Sequence, residues 1–365
     1  MGGRRSATTL GGATMTRIAT IPGDGIGIEV TREAVAVLRA VAQVTGARFE
    51  FQEFPYGADH FLRTGETLPQ DGYERLQTFD AILLGALGDP RVPDNRHAAD
   101  ILLGLRFRLD LYVNERPVRL LDERLCPLKG RTRKDIDFLI FRENTEGLYA
   151  GVGGFFKKGT PDELAVQQDI NTRKGVERII RHAFEQARAR GRKRVLMTDK
   201  SNALTYGHDL WQRVFWEVAA DHPDLEASHM YVDALAMQLL KDPTPYEVIV
   251  TCNMFGDILS DLGAQLQGGL GMAASANLHP GRIGLFEPVH GSAPRHAGKE
   301  IANPIGAILS AAMLLDSLGR GDEARRVEEA VAACVGAGET TRDLGGSLST
   351  AAAGEAIRRR IRGGS

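Results

Sequence analysis

The stretch VERIIRHAFEQARARGRKRVLMTDK, residues 176–200, decides the fold. Its first half carries apolar side chains at helical spacing from Val176 to Ala187, which predicts an amphipathic helix that ends at Gly191. Its second half contains a short apolar run at 195–197, which predicts a buried strand. A helix with one apolar face needs a surface to cover, so this succession of helix and strand predicts a layered α/β fold.

The same alternation extends outward from this stretch. Apolar runs at 17–21 and 81–84 predict strands, and helical spacing over 30–41 predicts a helix between them. Ligands of open α/β sheets gather beyond the carboxyl ends of the strands. Charged residues sit just past four predicted strands, at 138–141, 195–197, 230–232 and 248–250, and together supply the parts of an anion and metal site, namely Arg142, Lys200, Asp233 and Asp257.

Two glycine-rich stretches lack the spacing of nucleotide-binding loops. The third glycine of residues 23–27, GDGIG, comes one residue too early for the dinucleotide fingerprint. Residues 291–299 fail the phosphate-loop pattern because six residues separate their two glycines. We therefore predict only a tight turn at 23–27.

Composition excludes several classes of protein. The 365 residues suggest about two domains. The formal net charge of −2 lacks the basic excess of nucleic-acid binders, so we expect no nucleic-acid partner. Three widely spaced cysteines indicate neither a disulfide framework nor a thiolate zinc site, which fits the cytoplasm. No apolar run is long enough to cross a bilayer, so we expect no membrane contact. Residues 1–14 are rich in Gly, Ser and Thr, which suggests a disordered extension.

An acidic pair is the clearest indication of a metal site. Asp257 and Asp261 are four residues apart, so on a helix both carboxylates lie on one face. Ile258, Leu259 and Leu262 would then face the core. Oxygen ligands without Cys or His suit Mg²⁺ or Mn²⁺. Taken alone, such a pair is also typical of a solvated helix face.

Arginines suggest what the metal would help to bind. Arg106 and Arg116 are ten residues apart, and Arg142 is a third candidate. Arginine can clamp a carboxylate with two parallel hydrogen bonds. Together with the acidic pair, Lys200 and Tyr149, these arginines indicate chemistry on a small polycarboxylate.

Five blocks of the sequence resemble a known family, the β-decarboxylating dehydrogenases of isocitrate and 3-isopropylmalate. The resemblance runs from about residue 17 to 360, and its FGDILSD and EPVHGSAP segments are highly specific. The blocks are IPGDGIGIEV (21–30), LDLYVNERP (109–117), FRENTEGLY (141–149), VTCNMFGDILSDLGA (250–264) and LFEPVHGSAPRHAGKEIANP (285–304).

The resemblance implies a two-domain α/β fold with a mixed sheet that is not a Rossmann fold. A cofactor-binding domain would comprise residues 1–112 and 268–365, and a second domain, 113–267, would hold substrate and metal and form the dimer contact. The family forms homodimers whose active sites are shared between the two chains.

The resemblance also assigns roles by position. The malate carboxylates would be held by Arg106, Arg116 and Arg142. The metal would be held by Asp257 and Asp261 together with Asp233 of the partner subunit. Lys200 from the partner would accept the C2 hydroxyl proton, and Tyr149 would protonate the enol left by decarboxylation. The implied reaction oxidises a 3-substituted malate and releases CO₂ and a 2-oxo acid.

The residues that follow GSAP, which the resemblance assigns to the dinucleotide site, depart from the NAD-preferring pattern. We call residues 290–296 the cofactor loop. Arg295 and His296 stand where NAD enzymes carry an aspartate and where NADP-dependent isocitrate dehydrogenases have Lys-Tyr. A cation there can pair with a 2′-phosphate, so NADP is predicted, with NAD as the alternative. The resemblance places the remaining cofactor contacts at Asn202, His290, Gly291, Ser292, Ala293, Asn303 and Arg342.

The substrate pocket has mixed character. Leu102 and Leu103 match the apolar pair that receives the isopropyl group, which favours a 3-alkylmalate. Ala99, however, replaces the glutamate of that subgroup, and FRENTEGLY is closer to the isocitrate-type members. Isocitrate, tartrate, malate and a phosphonate-bearing malate therefore stay open as substrates. Arg96 and His97 are either exposed loop residues or contacts for an anionic substituent.

A different class of function is a non-catalytic regulatory subunit of a heteromeric dehydrogenase, since relatives of this fold include such subunits. The complete set of proton-transfer and metal residues argues against it, because a regulatory chain has no need of them.

Overall fold

The computed structural model describes residues 15–364, so the predicted disordered extension at 1–14 lies outside the described residues. The strands are, in chain order, β1 (Thr16–Gly23), β2 (Phe49–Glu53), β3 (Ala81–Ala86), β4 (Val113–Arg119), β5 (Asp137–Glu143), β6 (Gly153–Phe156), β7 (Leu164–Gln167), β8 (Arg194–Asp199), β9 (Glu226–Tyr231), β10 (Val248–Thr251), β11 (Ala274–Leu278) and β12 (Gly284–Pro288).

The α-helices alternate with these strands over most of the chain. None of those in the described range is long and apolar enough to span a membrane. They are α1 (Ile26–Thr45), α2 (Ala58–Thr64), α3 (Gln70–Leu76), α4 (Arg96–Ala98), α5 (Gly104–Arg108), α6 (Arg173–Ala189), α7 (Gly207–Ala220), α8 (Val232–Lys241), α9 (Asn253–Leu266), α10 (Ile305–Ser317), α11 (Gly321–Gly336) and α12 (Thr350–Ile361).

Ten strands form one mixed sheet in the order β2-β1-β3-β12-β11-β4-β5-β10-β8-β9. The strands at both ends of this order pair in parallel, whereas β12, β11, β4 and β5 pair antiparallel in the middle. Neither this order nor the antiparallel centre occurs in a Rossmann sheet. The predicted mixed α/β fold is therefore confirmed.

Separate apolar clusters cover the two ends of the sheet. Helices α1, α10, α11 and α12 pack around fully buried side chains such as Leu38 and Ile308. Helices α6 and α7 pack against β5, β8 and β10 around Phe184 and Phe215. The predicted helix at 176–191 is α6, and its predicted apolar face is buried against these strands.

The turn after β1 has the tight geometry that its glycines predict. Gly23 and Gly25 have φ angles of 73° and 57°, which favour residues without a side chain. A Cβ on Gly25 would lie 2.1 Å from the carbonyl oxygen of Ser292. The turn therefore sits directly against the loop that follows β12.

Strands β6 and β7 form a separate two-stranded sheet whose residues are all exposed. Its outward side chains include the apolar residues Phe155, Phe156 and Leu164. An isolated pair of strands is only marginally stable in water. This arm therefore lacks, within one chain, the packing that would normally support it.

Candidate active site

Two antiparallel neighbours, β4 and β5, direct arginines to the same face of the sheet. Arg142 is paired in register with Asn114, and Arg116 lies two residues beyond Asn114 on β4. Side chains two residues apart on a strand share a face. Arg142 lies within β5 itself, so the prediction that it follows the strand was wrong by two residues, because the strand ends at Glu143.

Helix α9 brings the acidic pair to these arginines. Arg142 Nη1 lies 2.5 Å from Asp257 Oδ1, and Arg116 Nη1 lies 3.2 Å from the same oxygen. Arg116 Nη1 is also 3.9 Å from Asp261 Oδ1. Both carboxylates therefore converge on one side of the helix, as the spacing of four predicts.

The apolar residues of α9 follow the prediction only in part. Leu259 is fully buried and Leu262 is partly buried, but Ile258 is 59% exposed. The prediction that Ile258 faces the core was therefore wrong. Ile258 lies instead on the solvent-exposed side of α9.

Two polar residues of α9 hold the arginines in place and were not predicted. Asn253 Oδ1 accepts from Arg142 Nε at 2.9 Å and from Nη2 at 2.7 Å. Ser260 Oγ accepts from Arg116 Nη1 at 2.5 Å. Asn253 lies four residues before Asp257 and Ser260 three residues after it, so both share its face of the helix. This spacing could have identified them from the sequence.

Arg106 reaches the same region from α5. It is buried and donates from Nη2 to Glu287 Oε1 at 2.8 Å. Burial lowers the pKa of Arg116 and of Arg142, and the charge of Arg106 adds to this effect on both. Glu287 was missed, although it stands inside the conspicuous EPVHGSAP segment.

Tyr149 is brought to Asp257 by the short helical turn Leu148–Ala150. Its hydroxyl donates to Asp257 Oδ2 at 2.9 Å, and the Arg142 guanidinium lies 5.2 Å from its ring centre. Burial, followed by the charge of Asp257, raises the pKa of Tyr149. The phenol therefore keeps its proton at neutral pH and is available as a proton donor.

The charges of this group influence one another strongly. Burial, and then the charges of Arg116 and Arg106, lower the pKa of Arg142 to about 9. Burial opposes ionisation of Asp257, but Arg142 and Arg116 outweigh it and lower the pKa of this carboxyl. Burial raises the pKa of Asp261, which Arg116 offsets only in part. Asp257 is thus an ionised carboxylate beside two guanidinium groups.

Lys200 and Asp233 form a second group. Lys200 directly follows β8, and its Nζ lies 2.7 Å from Asp233 Oδ2 at the start of α8. The backbone N–H of Lys200 donates to His208 Nδ1 at 2.9 Å. The neighbouring Asp199 is buried and accepts from Ser201 and His229. These contacts fix the strand end that carries the lysine.

The two groups stay apart within one chain. Among residues 15–364, no hydrogen bond or ion pair joins Lys200 or Asp233 to Tyr149, Asp257 or Asp261. The same residues contain no cluster of three or more His, Cys, Asp or Glu side chains that is able to hold a metal ion. A single chain therefore supplies only two of the three predicted metal ligands in one place.

The segment that carries Leu102 and Leu103 forms a π-helical stretch, Ala99–Leu103, between α4 and α5. Both leucines are partly buried. Arg96 is exposed and pairs with Asp94. His97 is fully buried, so both alternatives offered for it, exposed loop residue or contact for an anionic substituent, were wrong, because its ring bonds Asp24 inside the fold.

The loop after β12 carries most of the predicted cofactor residues. Ser292 Oγ donates to the carbonyl of Gly88 at 2.5 Å, and Ala293 has a φ of 39°. Gly291 is exposed beside them, and Nε2 of His290 has no partner within the described range. Burial lowers the pKa of His290, so this ring is neutral.

The remaining cofactor candidates differ in their exposure and in whether their side chains already have polar partners. No ion pair of residues 15–364 involves the exposed side chains of Arg295 and Arg342, and His296 is also exposed. Asn202 is exposed in the turn after Lys200. Asn303 is buried, and both polar atoms of its side chain already have partners, Asp343 and the N–H of Ile305.

The matching family model spans residues 17–357, nearly the whole described chain, and is that of isocitrate/isopropylmalate dehydrogenase. The chain belongs to the isocitrate/isopropylmalate dehydrogenase family. The resemblance inferred from the five sequence blocks is thereby confirmed. This family consists of decarboxylating dehydrogenases, so the prediction of an enzyme is confirmed as well.

Individual members of the isocitrate/isopropylmalate dehydrogenase family match over their full lengths. A 3-isopropylmalate dehydrogenase of Thermobifida fusca is 46% identical over 96% of this chain and 98% of its own. One of Frankia casuarinae is 48% identical over 93% and 100%. The crystal structure of isocitrate dehydrogenase from Methylococcus capsulatus superposes with a TM-score of 0.87 at 38% identity, covering 95% of this chain and 100% of that chain.

Proposed function

We propose that this protein oxidises and decarboxylates a 3-alkylmalate of the 3-isopropylmalate type, using a nicotinamide dinucleotide and a divalent cation. The observation that carries this proposal is the convergence of Arg116, Arg142 and Tyr149 on Asp257. Buried arginines beside an ionised carboxylate suit a substrate that has carboxylates and is bound through a cation.

The residues present fit a divalent cation. Arg116 Nη1 lies 3.2 Å from Asp257 Oδ1 and 3.9 Å from Asp261 Oδ1, so the two carboxylates both face one positive charge. Asp233 of the partner subunit would be the third ligand, and in this chain Asp233 has a 63% exposed side chain. A cation bound there would polarise the C2 oxygen of the substrate and stabilise charge that develops on it.

The side chains of the protein divide the remaining work. Arg106, Arg116 and Arg142 bind and orient the malate carboxylates. Lys200 of the partner subunit accepts the proton from the C2 hydroxyl as hydride leaves for the nicotinamide. Tyr149 donates a proton to the carbon from which CO₂ has departed, for which its protonated phenol is suited.

The alkyl substituent is favoured by two observations. Leu102 and Leu103 lie on the same helical segment as Arg106, next to the place where the malate would bind. The relatives described above from Thermobifida fusca and Frankia casuarinae both bear the name 3-isopropylmalate dehydrogenase. Isocitrate, tartrate, malate, a phosphonate-bearing malate and a regulatory subunit are therefore the weaker alternatives.

For the dinucleotide we propose NADP, with NAD as the alternative. The exposed Arg295 and Arg342 are free of ion pairs within the described residues, so a 2′-phosphate would meet cations that are not already neutralised. His296 stands beside Arg295 on the same loop, where His290, Gly291, Ser292 and Ala293 would meet the adenosine half. Asn303 would contribute through its backbone, and Asn202 would help to position the nicotinamide.

We further propose a homodimer with shared active sites. Helix α8 packs beside α9, and this outer surface exposes Met237, Leu240 and Ile258 by 50% or more. The arm of β6 and β7 exposes further apolar side chains. Contiguous exposed apolar surface of this kind is typical of a subunit contact. A second copy of the chain would cover both surfaces and bring Lys200 and Asp233 to the group around Asp257.

The division of the chain supports the proposed roles. The apolar clusters at one end of the sheet are built mainly from residues before 112 and after 271, and those at the other end from residues 113–266. We propose that the first part, residues 1–112 and 268–365, binds the dinucleotide and that 113–267 binds metal and substrate. The three free cysteines support a cytoplasmic location.

The decisive experiment is turnover by the purified chain with Mn²⁺. A panel of 3-isopropylmalate, isocitrate, tartrate, malate and a phosphonate-bearing malate would be offered with NADP and with NAD. We expect the highest kcat/KM with 3-isopropylmalate. Absence of turnover with every substrate would refute the proposed function and favour a regulatory subunit.

A further inference from the structure

Asp24 lies in the turn after β1 and is buried. Its Oδ1 accepts from the N–H of Ala58 at 2.7 Å, and its Oδ2 accepts from the N–H of Gly88 at 2.8 Å. Oδ2 also lies 2.8 Å from Nε2 of His97, which comes from a helix 73 residues further along the chain. The carboxylate therefore ties three separate segments to one turn.

His97 has no contact with solvent, and its ring stacks on Phe61 with 6.2 Å between the centroids. The other ring nitrogen, Nδ1, has no hydrogen-bond partner among residues 15–364. Burying a polar group without a partner is unfavourable. The bond from Nε2 to Asp24 is therefore the polar interaction that holds this side chain in place.

His97 lies in the first turn of a continuous helical segment that contains the proposed substrate residues Leu102, Leu103 and Arg106. Helix α4, the π-helical stretch and α5 follow one another without a break from Arg96 to Arg108. Near the far end of this segment, Arg106 is bonded to Glu287 on β12. Leu102 and Leu103 lie between these two anchors, so their position depends on both.

The turn that accepts the His97 bond also supports the cofactor loop. The N–H of Ile26 donates to the carbonyl of Ser292 at 2.8 Å, and Gly25 lies in van der Waals contact with the same residue. Ser292 in turn donates to Gly88, whose N–H binds Asp24. The buried carboxylate of Asp24 thus connects the cofactor loop with the beginning of the helical segment Arg96 to Arg108.

We propose that His97 is a positioning residue that sets the place of Leu102 and Leu103 relative to the bound dinucleotide. The inference rests on the proposed function and adds to it a determinant of substituent specificity. Without the bond to Asp24, the beginning of the segment keeps one exposed polar tie, from Thr67 Oγ1 to Asp100 Oδ2 at 3.1 Å, while the Arg106 anchor remains at the far end. The apolar pair would then lose its fixed distance from the cofactor loop.

The test uses two matched amide variants, His97→Gln and His97→Asn. Glutamine places its NH₂ group where Nε2 lies and keeps the bond to Asp24, whereas asparagine is one methylene too short. In His97→Asn we expect the KM for 3-isopropylmalate and the Kd for the dinucleotide to rise about tenfold, with kcat changed by less than about threefold. We expect preference for isopropyl over methyl at C3 to fall, and His97→Gln to stay within about threefold of wild type.

Equal behaviour of the two variants would overturn the proposal, whether both bind like wild type or both lose affinity alike. Dinucleotide binding is measured by fluorescence titration and needs no turnover, so it separates this inference from failure of the proposed catalysis. If His97→Asn does not fold, hydrogen exchange on the wild-type chain replaces it. We then expect the dinucleotide to slow exchange across 97–108, and unchanged exchange there in dinucleotide-bound protein would refute the role.

Discussion

Lys200 Nζ lies 2.7 Å from Asp233 Oδ2, and this ion pair has no bonded connection to Asp257 within the described part of the chain. The proposed general base thus stands beside one of the proposed metal ligands and has no bond to the other two. A complete site then requires that one chain supplies Lys200 and Asp233 while the other supplies Asp257 and Asp261.

This separation predicts complementation between two inactive variants. A dimer that pairs a Lys200→Met chain with an Asp257→Asn chain has one site with both residues intact and one with both replaced. Random mixing of equal amounts should restore about a quarter of wild-type kcat per dimer, because half of the dimers are mixed. Refolding the two variants together and measuring turnover tests this. A mixture no more active than its components would show that each chain builds its own site.

Lys200→Met should fold normally and lose most of its turnover. Methionine is one atom shorter than lysine and keeps most of the apolar surface of the side chain, but it cannot accept a proton. We expect kcat to fall by at least about 100-fold, in the range for loss of a general base. Lys193→Met is the matched control, because Lys193 is exposed just before the same strand. Near-wild-type kcat in Lys200→Met would rule out the proposed base.

Arg295→Asp should reverse the dinucleotide preference. The carboxylate repels a 2′-phosphate and can accept from ribose hydroxyls. We expect kcat/KM for NADP to fall about tenfold or more while that for NAD rises. Arg282→Asp, at another exposed arginine, controls for the change in net charge. If wild type already prefers NAD, or if the two ratios do not move in opposite directions, the assignment of Arg295 fails.

His182 gives the folded chain a pH-dependent stability. Burial, together with nearby Arg190, lowers its pKa to about 4 from 6.5. The unfolded chain therefore takes up a proton at this residue between pH 6.5 and 4 that the folded chain does not, so stability falls as pH drops through this window. Phe is apolar and retains the packing against Phe141.

Between pH 7 and 5, the wild-type chain should therefore lose about 2 kcal/mol more free energy of unfolding than His182→Phe. Urea unfolding at both pH values measures the difference. Identical losses in the two proteins would mean that His182 is protonated as readily in the folded state as in the unfolded state.

The sequence was sufficient for the fold and for much of the site because both depend on local pattern. The spacing of Asp257 and Asp261 already places two carboxylates on one helix face, and the short blocks around them identify the family. The buried hydrogen bond between His97 and Asp24 could not be predicted from the sequence, because the two residues are 73 positions apart and no periodic pattern connects them. Ile258 was misjudged because an apolar side chain next to buried residues on a helix has the same sequence pattern whether it faces the core or, as Ile258 does, the surface.

Helix α9 carries Asp257 and Asp261 on one face and the exposed Ile258 on another, so a single rigid rod bears both the proposed cation ligands and part of the proposed subunit contact. In the proposed shared site, association of two chains and binding of the cation would be thermodynamically linked equilibria, each strengthening the other. Dilution should weaken cation affinity, and a chelator should shift the population toward separated chains.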